Sequence, residues 1–124
     1  MNEAKTKKML RDYSSSFITT WGNTKNQLDW KYYDSVSKYL NNDQKTLIKD
    51  DLQSLSRFNV PGTTPNEYKT DIKEITISKK DSSYIATAKI RYKIVDYKTE
   101  DKIMTIIWDK YKDSYLITNF YTDK

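Results

Sequence analysis

Apolar residues change their spacing once along this chain, and the change falls near its middle. Met9, Leu10, Tyr13, Phe17, Ile18 and Trp21 follow the i, i+3, i+4, i+7 rule of an amphipathic helix, which should end near Gly22. Asn23-Thr24 can cap a second helix that carries Leu28, Trp30, Tyr32, Tyr33, Val36, Tyr39 and Leu40 and stops at Asn41-Asn42. Asp43 is a plausible cap for a third, with Leu47, Ile48, Leu52 and Leu55 on its inner face. The Pro61-Gly62 … Pro65 segment then breaks the pattern.

Beyond the break the period becomes two. Residues 72–78 put Ile75 and Ile77 on one side and Ile72 out of phase, which a bulge or a late strand start would explain. Residues 83–95 place Tyr84, Ala86, Ala88, Ile90, Tyr92 and Ile94 on one face, and Thr87, Lys89, Arg91 and Lys93 on the other. That alternation marks a sheet with one buried and one wet face. Ala86 and Ala88 are small enough to let a helix approach. Residues 102–108 differ, because Met104, Ile106 and Trp108 form one face while Ile103, Thr105 and Ile107 make the other largely apolar too. The last strand, 114–121, sets Tyr115, Ile117, Asn119 and Tyr121 against Leu116, Thr118 and Phe120. Short polar connections at 79–82, 96–101 and 109–113 read as hairpins, so the four strands form an antiparallel meander. Helices followed by strands imply one α+β domain over 1–124. It divides into a helical segment over residues 1–57, a linker 58–70 and a meander 71–124, with three helices on one face of the sheet.

Composition narrows the chemistry. The 124 residues contain neither cysteine nor histidine, which removes disulfides, thiolate metal sites, cysteine nucleophiles and the commonest general base. Two glycines cannot build a phosphate-cradling loop. The net charge of +5 is spread along the chain, apart from a local group of Lys5, Lys7, Lys8 and Arg11, and gives no strong nucleic-acid signal. No apolar run reaches the ~20 residues of a membrane span, and no signal peptide is visible.

The order of three helices and a meander is joined to a closing hairpin, Thr105-Ile106-Ile107-Trp108-Asp109-Lys110-Tyr111-Lys112-Asp113-Ser114-Tyr115-Leu116-Ile117-Thr118-Asn119-Phe120. Together they resemble the nuclear-transport-factor-2-like (cystatin-like) superfamily. That resemblance covers nearly the whole chain and implies a curved four-stranded sheet wrapped with three helices into a cone. Within the superfamily the chain is most similar to the VirB-eight-type assembly factors of type IV secretion and their Gram-positive conjugation relatives of the TraM and TcpC kind. The helix around Tyr13-Ser14-Ser15-Ser16-Phe17-Ile18 looks like the start of such a domain after its membrane anchor. The Lys-, Asn- and Tyr-rich composition suits an exported protein of a low-GC Gram-positive bacterium. The resemblance implies a non-catalytic scaffold of a conjugative transfer channel. It would lie in the cell envelope on the extracellular side of the cytoplasmic membrane, held by an anchor outside these residues. It would be oligomeric, partnered by other channel proteins, and without cofactor, metal or catalytic residues. The alternatives are a small-molecule-binding protein or enzyme of the same cone fold, or an exported lipoprotein domain.

Three groups of residues give these readings something to act with. Ile103, Thr105 and Ile107 are a candidate face for self-association or partner docking, since apolar surface on a sheet's wet side suits an interface. Lys89, Arg91 and Lys93 are a candidate basic contact face, or a solubilising one if neighbouring strands supply carboxylates. Eleven tyrosines and three tryptophans suit either an aromatic-walled pocket or a core rim. For an enzyme, Asp29 and Asp34 near Trp30, Tyr32 and Tyr33 are the conceivable acid–base pair, although a spacing of five does not stack them on one helix face. An enzyme should show an enclosed cone with an inward carboxylate, and a scaffold a cone plugged by aromatics.

Overall fold

The computed structural model describes the backbone of residues 2–27, 30–57, 68–94 and 98–123, and the side chains of these except 22–32, 51–57, 68 and 94. Three helices, α1 (Glu3–Gln27), α2 (Trp30–Ser37) and α3 (Asn42–Arg57), precede four strands, β1 (Tyr68–Lys80), β2 (Ser83–Ile94), β3 (Lys98–Tyr111) and β4 (Ser114–Thr122). The strands pair antiparallel in the order β1-β2-β3-β4, an open meander. The architecture is therefore α+β, with helices followed by a four-stranded antiparallel sheet.

Helix boundaries and faces depart from the sequence pattern at three places. α1 does not stop at Gly22 but continues to Gln27. A mid-helix glycine costs about 1 kcal/mol, which lowers helix stability without forbidding continuation; the buried stripe Leu10, Phe17, Ile18 and Trp21 lies on the N-terminal side of it. Its start is fixed by Asn2, whose side chain accepts the Lys5 N–H at 2.8 Å. The third helix is capped by Asn41, not Asp43: the Asn41 Oδ1 accepts the Gln44 N–H at 2.9 Å. On α3, Ile48 is buried as expected, but Leu47 is 57% exposed. Leu28, Trp30, Tyr32, Leu52 and Leu55, which the pattern puts on inner helix faces, lie outside the described side chains, as do Asn23-Thr24. The linker segment 58–67 lies outside the described residues. β1 begins at Tyr68, three positions before the expected 71.

Both hairpins in the described residues are two-residue turns. Each places its first turn residue in the left-handed region, Asp81 at φ 56° and Lys112 at φ 54°. Asp tolerates that conformation better than Lys does. Ile72 is out of phase because of a bulge and not a late strand start: β1 is already paired from Tyr68, and its pairing with β2 shifts between Ile72 and Glu74, leaving Lys73 as the extra residue.

β4 carries a second bulge, which the sequence pattern did not reveal. Trp108 pairs with Ile117, but Ile107 pairs with Asn119, so Thr118 is the extra residue. The alternation is thereby reversed beyond Ile117. Tyr115 and Ile117 point to the core, but Asn119 and Tyr121, which the alternation put on their face, turn outward and Phe120 turns in. Phe120 meets Phe17 and Trp21 edge-on, with ring centroids 5.1 Å and 6.3 Å away.

The core lies between the sheet's inner face and the helices. α1 packs against β1, β2 and α2, and α3 meets β4. Ala86 and Ala88 are fully buried, as a close helix requires. Trp108 is completely buried among Tyr13 and Tyr39, and its indole Nε1–H donates to the equally buried Ser14 hydroxyl at 2.9 Å. That bond satisfies both polar groups where neither reaches water. The outer edge of β4 is sealed by the chain itself. Leu40 forms a parallel bridge with Ile117: the Ile117 N–H donates to the Tyr39 carbonyl at 2.7 Å and the Asn41 N–H to the Ile117 carbonyl at 3.0 Å.

Candidate functional site: the outer face of the sheet

The two candidate faces read separately from β2 and β3 are one surface. The β2–β3 register puts Lys89 opposite Ile103, Thr87 opposite Thr105, Ile85 opposite Ile107, Arg91 opposite Asp101 and Lys93 opposite Thr99. β4 extends the surface, with Tyr121 opposite Thr105 and Asn119 opposite Ile107. Side chains two apart share a face, so one apolar strip runs through Ile85, Ile107, Ile103 and Tyr121 beside a charged end at residues 89–93.

The strip is open to water to different degrees. Ile103 is 40% and Tyr121 52% exposed, while Ile85, Thr105 and Ile107 are half-buried by their neighbours. Ile103 is held from both sides of its peptide: its N–H donates to Asp123 Oδ1 at 2.7 Å, and its carbonyl accepts the Asp123 N–H at 3.0 Å. Between the strip and the charged end lies an open groove of about 330 Å³, lined by Lys73, Lys89, Arg91, Asp101, Ile103 and Asp123 among others.

Charge at that end is largely compensated within the sheet. Lys89 meets Glu74 of β1 at 3.3 Å. The Arg91 guanidinium donates to both oxygens of Asp101, Nε at 2.8 Å and Nη2 at 3.3 Å. Lys73 meets Asp71 at 3.4 Å. On the other face of β3, in register with Tyr92, Glu100 is paired with Lys98 and, at 3.8 Å, with Lys102. The hydrogen bond from Arg91 holds the Asp101 carboxyl below the ordinary carboxylate value, and Asp101 in turn raises Arg91. Lys98 lowers Glu100 in the same way. Lys93 stands opposite Lys69 and Thr99. The two cross-strand pairs, Lys89–Glu74 and Arg91–Asp101, are what a solubilising sheet face needs, and they leave less unbalanced charge for an anionic partner.

At the opposite end of this face Asp109 joins three strands. Its carboxylate accepts from the Ser83 hydroxyl of β2 and, at 2.5 Å, from the Thr118 hydroxyl of β4.

The inner side offers the aromatic alternative. Tyr13, Phe17, Trp21, Tyr39, Trp108 and Phe120 form a connected cluster, with neighbouring rings 5.1 to 6.4 Å apart. Among the described residues the buried polar side chains are Thr6, Ser14 and Gln44; none is a carboxylate. Asp34 is exposed, and Asp29 lies outside the described residues. Burial, and secondarily the charge of Asp34, raises the Tyr33 phenol, and burial alone raises Tyr92. Tyr13, Tyr33, Tyr84 and Tyr92 are buried or half-buried, at the rim of or within the core. The N-terminal basic group is split: Lys7 pairs with Glu3 at 3.3 Å, while Lys5, Lys8 and Arg11 are exposed. Among the described residues no cluster of acidic side chains could hold a metal ion, and no helix is long and apolar enough to cross a membrane.

Sequence reasoning missed Ile85, Glu74, Asp101 and Tyr121. The first was available by continuing the β2 alternation back two residues. The carboxylates needed the strand register. Tyr121 needed the Thr118 bulge, for which the sequence carries no signal. No known protein family matches this chain, and no curated protein matches it.

Proposed function

We propose that this chain is a non-catalytic protein-interaction domain that works through the outer face of its sheet. The observation that carries this reading is the use of the two faces. On the inner side, the described space between helices and sheet is filled by aromatic rings and has no buried carboxylate. On the outer side, Ile103 and Tyr121 stand in water beside Ile85 and Ile107. Apolar side chains aligned on one sheet face are buried favourably against another protein, at ~25 cal/mol per Å².

The cone geometry of the nuclear-transport-factor-2-like superfamily and a place among the conjugative type IV secretion scaffolds belong to this proposal. They rest on the resemblance of the element order and the closing hairpin. In that setting the domain sits on the extracellular side of the cytoplasmic membrane and assembles with copies of itself and with other channel proteins. Sedimentation of the wild type and of an Ile103→Lys/Ile107→Lys variant tests the docking face. Association that is lost in the variant is expected; equal masses for the two overturn the role of this face. The encoding locus tests the setting: an anchor segment ahead of residue 1 and neighbouring secretion ATPase genes are expected, and a locus with neither overturns it.

A further inference from the structure

The two edges of the sheet differ in what covers them. The outer edge of β4 is taken up by the Leu40–Ile117 bridge. β1 forms the other edge. It is bonded to β2 alone among the strands, and no other backbone bond reaches it among the described residues. Such an edge offers a row of free N–H and C=O groups to a further strand. Its side chains decide which strand it accepts.

One stretch of β1 is regular enough to pair. The bulge at Lys73 bounds it on one side and the turn at Asp81 on the other, which leaves residues 74–80 in unbroken register with β2. Glu74, Thr76, Ser78 and Lys80 share the outer face, opposite Lys89, Thr87, Ile85 and Ser83. All four are exposed. Ile75, Ile77 and Lys79 lie on the inner face.

This stretch is its own complement. A two-fold axis normal to the sheet brings a second copy alongside, antiparallel and with its faces preserved. Paired residues must share a face, so the axis passes through a residue and not between two. With the axis at Ile77, Glu74 meets the partner's Lys80 and Thr76 meets the partner's Ser78. Ile75 meets the aliphatic stem of the partner's Lys79. Each contact occurs twice, and Ile77 meets its own copy. Opposite charges and paired hydroxyls are cross-strand neighbours that stabilise a ladder.

Other registers lose these contacts. With the axis at Thr76 or Ser78, only five of the seven residues pair. Glu74 then faces Ser78 or falls outside the stretch, and Lys80 meets the bulge or Thr76. Lysines on an edge discourage strand addition. Lys80 does so against any strand without a carboxylate at the matching place, and a second copy supplies one. Glu74 holds Lys89 through Oε2 at 3.3 Å, which leaves its other carboxylate oxygen for the partner.

We propose that two copies of this chain pair through residues 74–80 of β1, antiparallel and centred on Ile77, so that their sheets become continuous. Seven residue pairs supply about six to eight backbone hydrogen bonds. The outer face stays free, so the pairing holds whether or not that face docks a partner.

The test uses the full chain carrying Ile103→Lys/Ile107→Lys. These changes remove association through the outer face and are expected to leave a pair in sedimentation at low salt. Adding Lys80→Glu, or Glu74→Lys, sets like charges opposite each other at two places and should weaken the pair at least about tenfold. An equimolar mixture of those two proteins restores opposite charges and should recover the pair. A monomer at millimolar concentration overturns the proposal. So does a pair that neither charge reversal weakens, or a mixture no tighter than its components. Should a charge variant fail to fold, hydrogen exchange of the Ile103→Lys/Ile107→Lys protein decides. Amides within 74–80 that slow with rising concentration, while those of β3 do not, support the pairing; concentration-independent exchange overturns it.

Discussion

The two faces of β3 present the same kind of residue to opposite surroundings. Met104, Ile106 and Trp108 are 0–2% exposed, sealed by α1 and by the 39–40 turn. Ile103, Thr105 and Ile107, one residue out of step, have no helix over them among the described residues, and Ile103 is 40% exposed. Apolar content alone therefore does not say which face of this strand is core. What separates them is the next layer. The inner face meets side chains that complement it, down to a hydroxyl placed for the Trp108 N–H. The outer face meets water, with ion pairs at one end and a carboxylate clamp at the other.

Substitutions on the two faces should break or sharpen that contrast. Trp108→Ala removes the largest fully buried side chain among the described residues, and urea unfolding should show a loss of about 3–5 kcal/mol. A loss under about 1 kcal/mol would mean that the inner face is not the core. Ser14→Ala leaves the buried indole N–H without an acceptor and should cost about 1–3 kcal/mol in the same assay. Lys112→Gly relieves a left-handed lysine at a hairpin tip and should raise stability by up to about 1 kcal/mol. Ile103→Lys/Ile107→Lys should move the unfolding free energy within about 0.5 kcal/mol, as surface changes do. Its effect belongs in the sedimentation experiment instead.

The smallest effect expected is that of the ion pairs around Asp101 and Glu100. Asp101 and Glu100 ionise at lower pH in the folded chain than in the unfolded one. As pH falls, the unfolded chain takes up these protons first, near the ordinary carboxylate value of about 4. Their stabilisation is thus complete above that range and lost as pH drops through the lower folded values. Urea midpoints at pH 7 and pH 3 should differ less for Arg91→Ala/Asp101→Ala than for wild type. The groups are exposed, so the wild-type contribution should shrink in high salt. In the same vein, DNA affinity at low salt should be negligible, because Lys89 and Arg91 already face carboxylates.

Much of this arrangement could be read before any coordinates. The strand phases of β2 and β3, the meander and the irregularity at Ile72 follow from period-two spacing, a purely local signal. Three things could not be read that way. Gly22 reads as a stop, yet α1 runs on to Gln27, because a lone glycine only weakens a helix by about 1 kcal/mol. Asn41 caps α3 ahead of Asp43, a choice tied to its backbone bond with Ile117. The Thr118 bulge has no local signature, since it depends on Asp109, Ser83 and Gln44, which join it through bonds spanning 9 to 74 residues. The candidate surface was legible as two half-surfaces; only register joined Lys89 to Ile103 and exposed the carboxylates that answer the cations.

The Leu40–Ile117 bridge has a consequence for how copies of this chain could stack. A sheet grows into a fibre only if each new strand leaves a fresh edge behind it. Here the centre of β4 is already occupied by the chain's own backbone, so strand addition would have to use β1. Two copies joined at β1 would then present only a β4 edge at either end, each plugged at its middle. Edge-wise growth would terminate at a pair.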